Sequence, residues 1–290
     1  MRYWLNGKYL PDSKARISLL DRGLLFGDSL YEVIRFYRHR LFLVDEHLNR
    51  LFREAETIEL PRRFGEKKVA EAIEGLVARS DEANGLILLH WTRGEGPRQL
   101  APPPGLRGNL FAARIPLPSI PRALYESGVS LITHPDARWH GVDLKSTNLL
   151  ASVLARREAV RRGAYEAVLH RGRGEKARLT EGTSSSFFLV REGRVITPAA
   201  RGLLPGITRS IVIRVAGEEG IPLEERKVYK GEITLSEEAF LTATSSEILP
   251  VREIDGKPLA SPVPGPVTKR LMKAFARFRQ KRLRRTPPAR

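Results

Sequence analysis

The chain contains no cysteine, which excludes disulfides and thiolate metal sites. Uninterrupted apolar stretches are missing as well. No run approaches the roughly 18 residues that a membrane-spanning helix needs. The six histidines (His39, His47, His90, His134, His140, His170) stand apart without ligand spacing, so no metal centre is expected. Phosphate-cradling and nucleophile motifs are also absent: there is no P-loop, no Gly-x-Gly-x-x-Gly after a strand and no Gly-x-Ser-x-Gly elbow. The opening residues, Met-Arg-Tyr-Trp-Leu-Asn-Gly-Lys-Tyr-Leu, read as a strand and turn instead of an export signal, so a cytoplasmic location is expected.

Acids are scarce relative to bases, with 33 Asp and Glu against 50 Lys and Arg, for a formal net charge of +17. The excess is uneven. From Lys269 onward there are ten bases and no acid. Such a tail can bind nucleic acid or an anionic membrane. The favoured reading is a closing helix that docks Val267, Leu271, Phe275 and Phe278 and ends in a frayed basic stretch, with no nucleic-acid partner.

What remains is a 290-residue chain with 41% hydrophobic and 29% charged residues, ample for two modest domains. Residues 1–115 alternate strands and helices: a strand and Asn-Gly turn over 2–10, a hairpin over 31–44 turning at Arg-His, helices over 46–59 and 69–78, and strands over 85–92 and 109–115. The first of these helices would bury Leu48, Leu51, Phe52 and Ala55. Three prolines in Pro116-Leu-Pro-Ser-Ile-Pro121 make 116–121 the interdomain linker. Residues 122–290 then form the larger domain, with strands over 128–134 and 165–170, a hairpin over 186–197, a helix after Gly206, a short strand near 222–228 and an extended 240–251.

Lys145 lies in Asp-Leu-Lys-Ser-Thr-Asn, ahead of a helix ending at Gly163 whose buried side would carry Leu149, Leu150, Val153, Leu154 and Val160. A lysine placed by such packing can lose its proton and attack an aldehyde. Glu181, in a polar loop, is a carboxylate able to keep a heterocyclic nitrogen protonated. Together these meet the two demands that pyridoxal phosphate makes on a protein. Pro205-Gly206-Ile207-Thr208 opens an apolar helix whose free N–H groups suit a phosphate, with Arg50 and Thr244 as further donors. Tyr31 could reach the ring oxygen, and Arg98 a substrate carboxylate. Each residue also has an ordinary reading: a solvated lysine, a loop acid, a helix cap, a surface ion pair, a strand aromatic, a loop-tip charge.

The ordered stretches 21–33, 46–51, 92–98, 143–150, 180–186, 206–209 and 244–251 resemble class IV aminotransferases, the fold-type IV pyridoxal-phosphate enzymes, and within them D-amino-acid aminotransferases. The likeness spans roughly residues 3–275. It implies a two-domain α/β fold, a small N-terminal domain with a larger one built on a barrel-like sheet, and a homodimer. It makes Lys145 the lysine that bonds the cofactor and carries the proton. Glu181 would sit at the pyridine nitrogen, Tyr31 near the ring oxygen and Ser184 near the ring. Arg50, Ile207, Thr208 and Thr244 would hold the phosphate, and Tyr31, Arg98 and Ser245 would face the substrate, Arg98 from a second subunit. The implied reaction passes an amino group from D-alanine or D-glutamate to a keto acid such as 2-oxoglutarate or pyruvate. Three positions depart from the D-specific pattern: Leu100 replaces a histidine, Leu88 a tyrosine, and Arg35 a lysine. A branched-chain L-amino-acid aminotransferase and aminodeoxychorismate lyase share the fold and stand as alternatives.

Overall fold

Alternating apolar residues form the strands of two sheets, and the computed structural model describes residues 2–289. The chain separates into two compact units. One comprises Met1–Pro118, Leu144–Asn148 and Gln280–Arg290, the other Ser119–Asp143 and Leu149–Arg279. The division falls within the proline-rich segment. The segment holding Lys145 and the last eleven residues, both expected in the larger domain, belong to the first unit.

The first unit contains β1 (Tyr3–Leu5), β2 (Lys8–Leu10), α1 (Arg22–Phe26), β3 (Ser29–Tyr37), β4 (Arg40–Leu41), α2 (Val44–Thr57), α3 (Glu66–Ala78), β5 (Asn84–Thr92) and β6 (Asn109–Ile115). Its six-stranded sheet runs β2-β1-β6-β5-β3-β4. Arg38 and His39 both adopt positive φ (48° and 57°), the geometry that a two-residue hairpin turn requires. Leu30, Ile34, Phe36, Ile87, Leu89 and Trp91 face helices α2 and α3, where Leu48, Leu51, Ile73 and Leu76 complete a core almost free of solvent.

The second unit contains α4 (Arg122–Ser127), β7 (Val129–Pro135), α5 (Leu150–Arg161), β8 (Glu166–Arg171), β9 (Arg178–Gly182), β10 (Ser186–Arg191), β11 (Arg194–Pro198), α6 (Ile207–Glu218), β12 (Leu223–Arg226), β13 (Val228–Tyr229), β14 (Glu238–Ala243), β15 (Glu247–Ile254), β16 (Lys257–Pro258) and the start of α7 (Pro266–Arg285). The main path of its sheet is β12-β11-β10-β14-β15-β7-β8-β9-β13. Both β9 and β13 return against β11, so the sheet curls back on itself. Phe187, Leu189, Leu241, Leu249 and Val251 fill the interior.

Four expectations need correction. Residues 240–251 are not one extended run but parts of two antiparallel strands, β14 and β15, joined by a turn. Glu181 lies on strand β9, buried, because its neighbours pair with β8. Helix α5 turns small residues inward: Ser152, Ala155 and Ala159 are buried, while Leu149, Leu150, Val153, Leu154 and Val160 are exposed. Alanines let the helix approach β7 and β8 closely, where Ile132, Ala167 and Leu169 meet it. Finally, the basic stretch is docked as far as Ala289. Helix α7 runs to Arg285, Arg282 pairs with Glu46 at 2.9 Å, Arg40 donates to the carbonyls of Leu283 and Thr286, and the Ala289 N–H reaches the His39 carbonyl at 2.8 Å. No helix among the described residues is long and apolar enough to cross a membrane.

Candidate active site

In the first unit the two-residue period of β3 sets two environments. Leu30, Glu32, Ile34 and Phe36 point to the core, and Tyr31, Val33 and Arg35 to the opposite face. Lys145 is laid along the edge of β3. The Tyr31 N–H donates to the Lys145 carbonyl at 2.9 Å, Leu30 and Ser146 form a bridge, and the Thr147 N–H reaches the Ser29 carbonyl at 3.3 Å. The hydroxyls of Ser29 and Thr147 meet at 2.5 Å, and Asn148 donates to the Gly27 carbonyl. Gly27 has φ 65°, and a Cβ there would fall 2.3 Å from the Asn148 amide oxygen, so this position has room only for glycine. The half-buried Lys145 extends its Nζ over the Tyr31 ring, 4.3 Å from the centroid. Helix α5 begins five residues later, so the lysine sits in an extended segment and not at a helix entrance.

Beneath β3 lies a buried polar cluster. The core-facing Glu32 accepts from Arg50 through Nε (2.6 Å) and Nη2 (2.9 Å) and contacts His47 Nδ1 at 2.7 Å. Arg50 is therefore buried and paired, not a surface ion-pair member. Burial raises the Glu32 pKa, but His47 and Arg50 override it and bring it to about 2. Arg50 is held above its usual value: burial opposes its charge, and the Glu32 carboxylate more than compensates. Glu54, one turn further along α2, accepts the Lys145 amide N–H at 2.7 Å. Its pKa is pushed up by burial, with the Lys145 amide and Arg50 pulling the other way.

On the opposite face three rings align across neighbouring strands: Tyr31 and His90 at 5.8 Å, His90 and Phe111 at 4.9 Å. Burial alone lowers the His90 pKa to about 4, so the ring is neutral near pH 7. Arg98 is exposed on the loop after β5. That loop is held from below by Arg22, which is 3% exposed and donates to the carbonyls of Gln99 (2.6 Å) and Leu100 (2.9 Å). Asp28 ties Arg22 to Arg93.

In the second unit the remaining predicted residues converge at one end of the sheet. Ser186, starting β10, pairs with Thr242 near the end of β14, so the turns carrying Ser184 and Thr244-Ser245 lie side by side. Helix α6 starts at the same end, since a Cβ on Gly206 would fall 2.8 Å from the Ser186 hydroxyl. Gly206 is the N-cap and no side chain caps the helix. The helix thus begins on a glycine with the first-turn amides of Ile207 and Thr208 free of any side-chain acceptor, which fits a phosphate. Glu181 is 6% exposed; burial raises its pKa, while Arg138 Nη1, at 2.7 Å, and the Leu204 N–H lower it. Arg138 is itself gripped by Asp136, which also binds Arg171 and Thr180. Glu166 organises the Ser184 turn, accepting from the Thr183 hydroxyl (2.9 Å) and the Ser184 N–H (2.8 Å). The Ser185 hydroxyl is buried without a hydrogen-bond partner among the described residues, as an opening for a polar ligand requires.

Lys145, Tyr31, Arg50 and Arg98 thus belong to the first unit, and Glu181, Ser184, Ile207, Thr208, Thr244 and Ser245 to the second. Sequence reasoning missed Glu32, His47 and Glu54, although the spacing of His47, Arg50 and Glu54 puts a polar stripe on the buried face of α2. It also missed Arg22 and the Asp136–Arg138 support of Glu181. The Asp-x-Arg spacing was the signal available for that support. No cluster of metal-ligating side chains occurs among the described residues.

The family described as "Amino-transferase class IV" matches residues 29–254. The chain is 36% identical to the D-alanine aminotransferase of Bacillus licheniformis over 276 residues, covering 95% of this chain and 96% of that protein. It is equally identical to the D-alanine aminotransferase of Listeria monocytogenes serotype 1/2a over 279 residues, covering 95% of each. Among solved structures, the branched-chain aminotransferase of Thermoproteus uzoniensis with norvaline superposes with a TM-score of 0.89 at 30% identity, covering 100% of this chain and 99% of that one. The branched-chain amino acid aminotransferase of Thermobaculum terrenum in its PLP-form gives 0.85 at 27%, covering 98% and 95%. By family match and full-length similarity, this chain belongs to the class IV aminotransferases.

Proposed function

We propose that this aminotransferase uses pyridoxal phosphate to move the amino group of a D-amino acid of the alanine or glutamate type onto a 2-keto acid, as a cytoplasmic homodimer. The observation that carries the reading is the 36% identity to D-alanine aminotransferases along 95% of the chain. When bound, the cofactor supplies an aldehyde that takes up the amino group and a ring that accepts electrons from the substrate.

The residues described above fit that group. Lys145 would hold the cofactor covalently and, as a free amine, would carry the proton taken from substrate Cα. Its anchoring along β3 and its contact with the Tyr31 ring restrict where that amine can point. Glu181 would face the pyridine nitrogen, where the Arg138 guanidinium opposes the rise that burial imposes on that carboxyl's pKa. The opening of α6 at Gly206, Ile207 and Thr208 would take the phosphate with Thr244, and Arg50 and Ser184 are proposed as further cofactor contacts. Tyr31 adjusts the ring oxygen and, with Ser245 and an Arg98 of a second subunit, meets the substrate.

Dimerisation is supported by the apolar residues that α5 turns outward and by Leu19 (81% exposed) and Leu24 (62% exposed) near α1, which water alone would leave costly. A branched-chain L-substrate is the second reading, favoured by Arg35 on the Tyr31 face of β3 and by the fold neighbours.

The test mixes holoenzyme with single amino acids and follows conversion of the cofactor spectrum. D-alanine or D-glutamate should convert it within the mixing time of a manual assay. Conversion by L-leucine alone overturns the D-preference, and a Lys145→Ala variant that turns over normally overturns the chemistry.

A further inference from the structure

One anchor of Lys145 is a carboxylate for which the reaction above has no task. Both backbone groups of the lysine are held. Its carbonyl accepts from the Tyr31 N–H, as any strand edge allows, but its N–H goes to Glu54 Oε2 at 2.7 Å. Glu54 is 4% exposed, and its Oε1 is buried without a hydrogen-bond partner among the described residues. A buried carboxylate with an idle oxygen is a costly acceptor for one amide. The position of this acceptor therefore calls for a reason.

The surroundings supply one. Glu54 continues the stripe of His47 and Arg50 on the buried face of α2, and Arg50 is locked to Glu32 on β3. Besides burial, the groups acting on Glu54 are the Lys145 amide, Arg50, the Glu32 carboxylate and the Lys145 side chain. The stripe is therefore a rigid strut: β3 fixes Arg50, α2 carries Glu54 at a set distance, and Glu54 fixes the amide from which the Lys145 side chain departs. Without it, Ser146, Thr147 and Asn148 stay anchored to the start of β3, but the Lys145 amide loses its acceptor and the peptide from which the side chain departs can tilt.

We propose that Glu54 is a positioning residue for Lys145, setting the direction in which the amine leaves the backbone; this rests on the reading of Lys145 as the reactive lysine. A shift of about 1 Å in a reacting group lowers turnover on the order of 100-fold. Glu54 is buried on the core side and acts through the Lys145 backbone, so the effect should fall on kcat and leave KM nearly unchanged.

The experiment compares wild type with Glu54→Ala, Glu54→Gln and Glu54→Asp in two measurements. The first is amide hydrogen exchange across Leu144–Asn148 in the purified protein, with no substrate added. The second is kcat and KM with D-alanine and 2-oxoglutarate. Glu54→Ala should raise exchange at the Lys145 amide by at least about tenfold and lower kcat by about 100-fold. Glu54→Gln, which keeps an acceptor oxygen at the same reach, should restore protection and most of kcat. Glu54→Asp keeps the charge but falls short of the amide, and should resemble the alanine variant; it also stands in if that variant does not fold. The proposal is overturned if exchange at Lys145 is unchanged in both the alanine and aspartate variants. It is equally overturned if Glu54→Gln keeps protection yet loses as much kcat as Glu54→Ala. The exchange measurement needs no turnover, so a wild type inactive on these substrates removes the assigned function and leaves the role of Glu54 decided on its own.

Discussion

Arg50 grips Glu32 with two parallel charge-assisted hydrogen bonds, 2.6 and 2.9 Å, across an interface from which water is excluded. Removing one member strands the other. Arg50→Gln should cost about 3–5 kcal/mol, and the Arg50→Gln/Glu32→Gln pair less than the two single changes together. Because Glu32 is lowered from 4.5 to about 2, its contribution is complete above pH 4.5 and lost as pH falls through 2. Acid denaturation followed by circular dichroism should therefore begin at higher pH in an Arg50→Gln protein.

Arg138 should control how Glu181 works. Burial already raises the Glu181 pKa, and Arg138 is the first of the groups that pull it back. With Arg138→Gln the carboxyl should stay protonated to higher pH, lowering kcat at pH 7 by about tenfold. Activity should recover as pH rises, whereas Arg138→Lys should retain most of the wild-type profile. A pH-independent loss in Arg138→Gln would count against this role.

His90 gives a second pH window. Its folded pKa of about 4 lies below the ordinary 6.5, so the unfolded chain binds the proton first. Stability is complete above 6.5 and declines as pH falls toward 4, by on the order of 2 kcal/mol given the partial exposure of the ring. His90→Phe keeps an aromatic ring between Tyr31 and Phe111, and its melting temperature should vary less between pH 6.5 and 4.

The outward face of α5 should be a subunit contact. Leu150→Glu with Leu154→Glu places charges at positions 71% and 50% exposed in the single chain, so the isolated fold should tolerate them. Sedimentation velocity should show dimer association weakened at least about 30-fold, the effect of losing a central apolar anchor. An unchanged sedimentation coefficient would place the interface elsewhere.

The contrast between what the residues foretold and what they hid has a physical pattern. The Arg38-His39 turn, the apolar face of α2 and the hairpin over 186–197 follow from local propensity and periodicity, and all are present. Gly206, Ser184 and Thr244 stand out in the sequence because they fall where strands and helices begin or end. The inward face of α5 was not, since Leu, Val and Ala all read as apolar and only close packing on β8 selects the alanines. Glu32, Glu54 and Asp136 were hidden for the opposite reason. A charged residue reads as solvated until its buried partner, often far along the chain, is seen beside it.

The bridging of Lys145–Thr147 onto β3 also dictates an order of events during synthesis. A nascent chain that has emerged only to Pro118 lacks the segment that covers the edge at Ser29–Tyr31 and leaves Glu54 without its amide. Such a fragment presents an open strand edge to other chains. The ribosome must deliver residues up to Asn148 before the first sheet can be sealed. Lys145 and its two followers are thus the stitch that closes it.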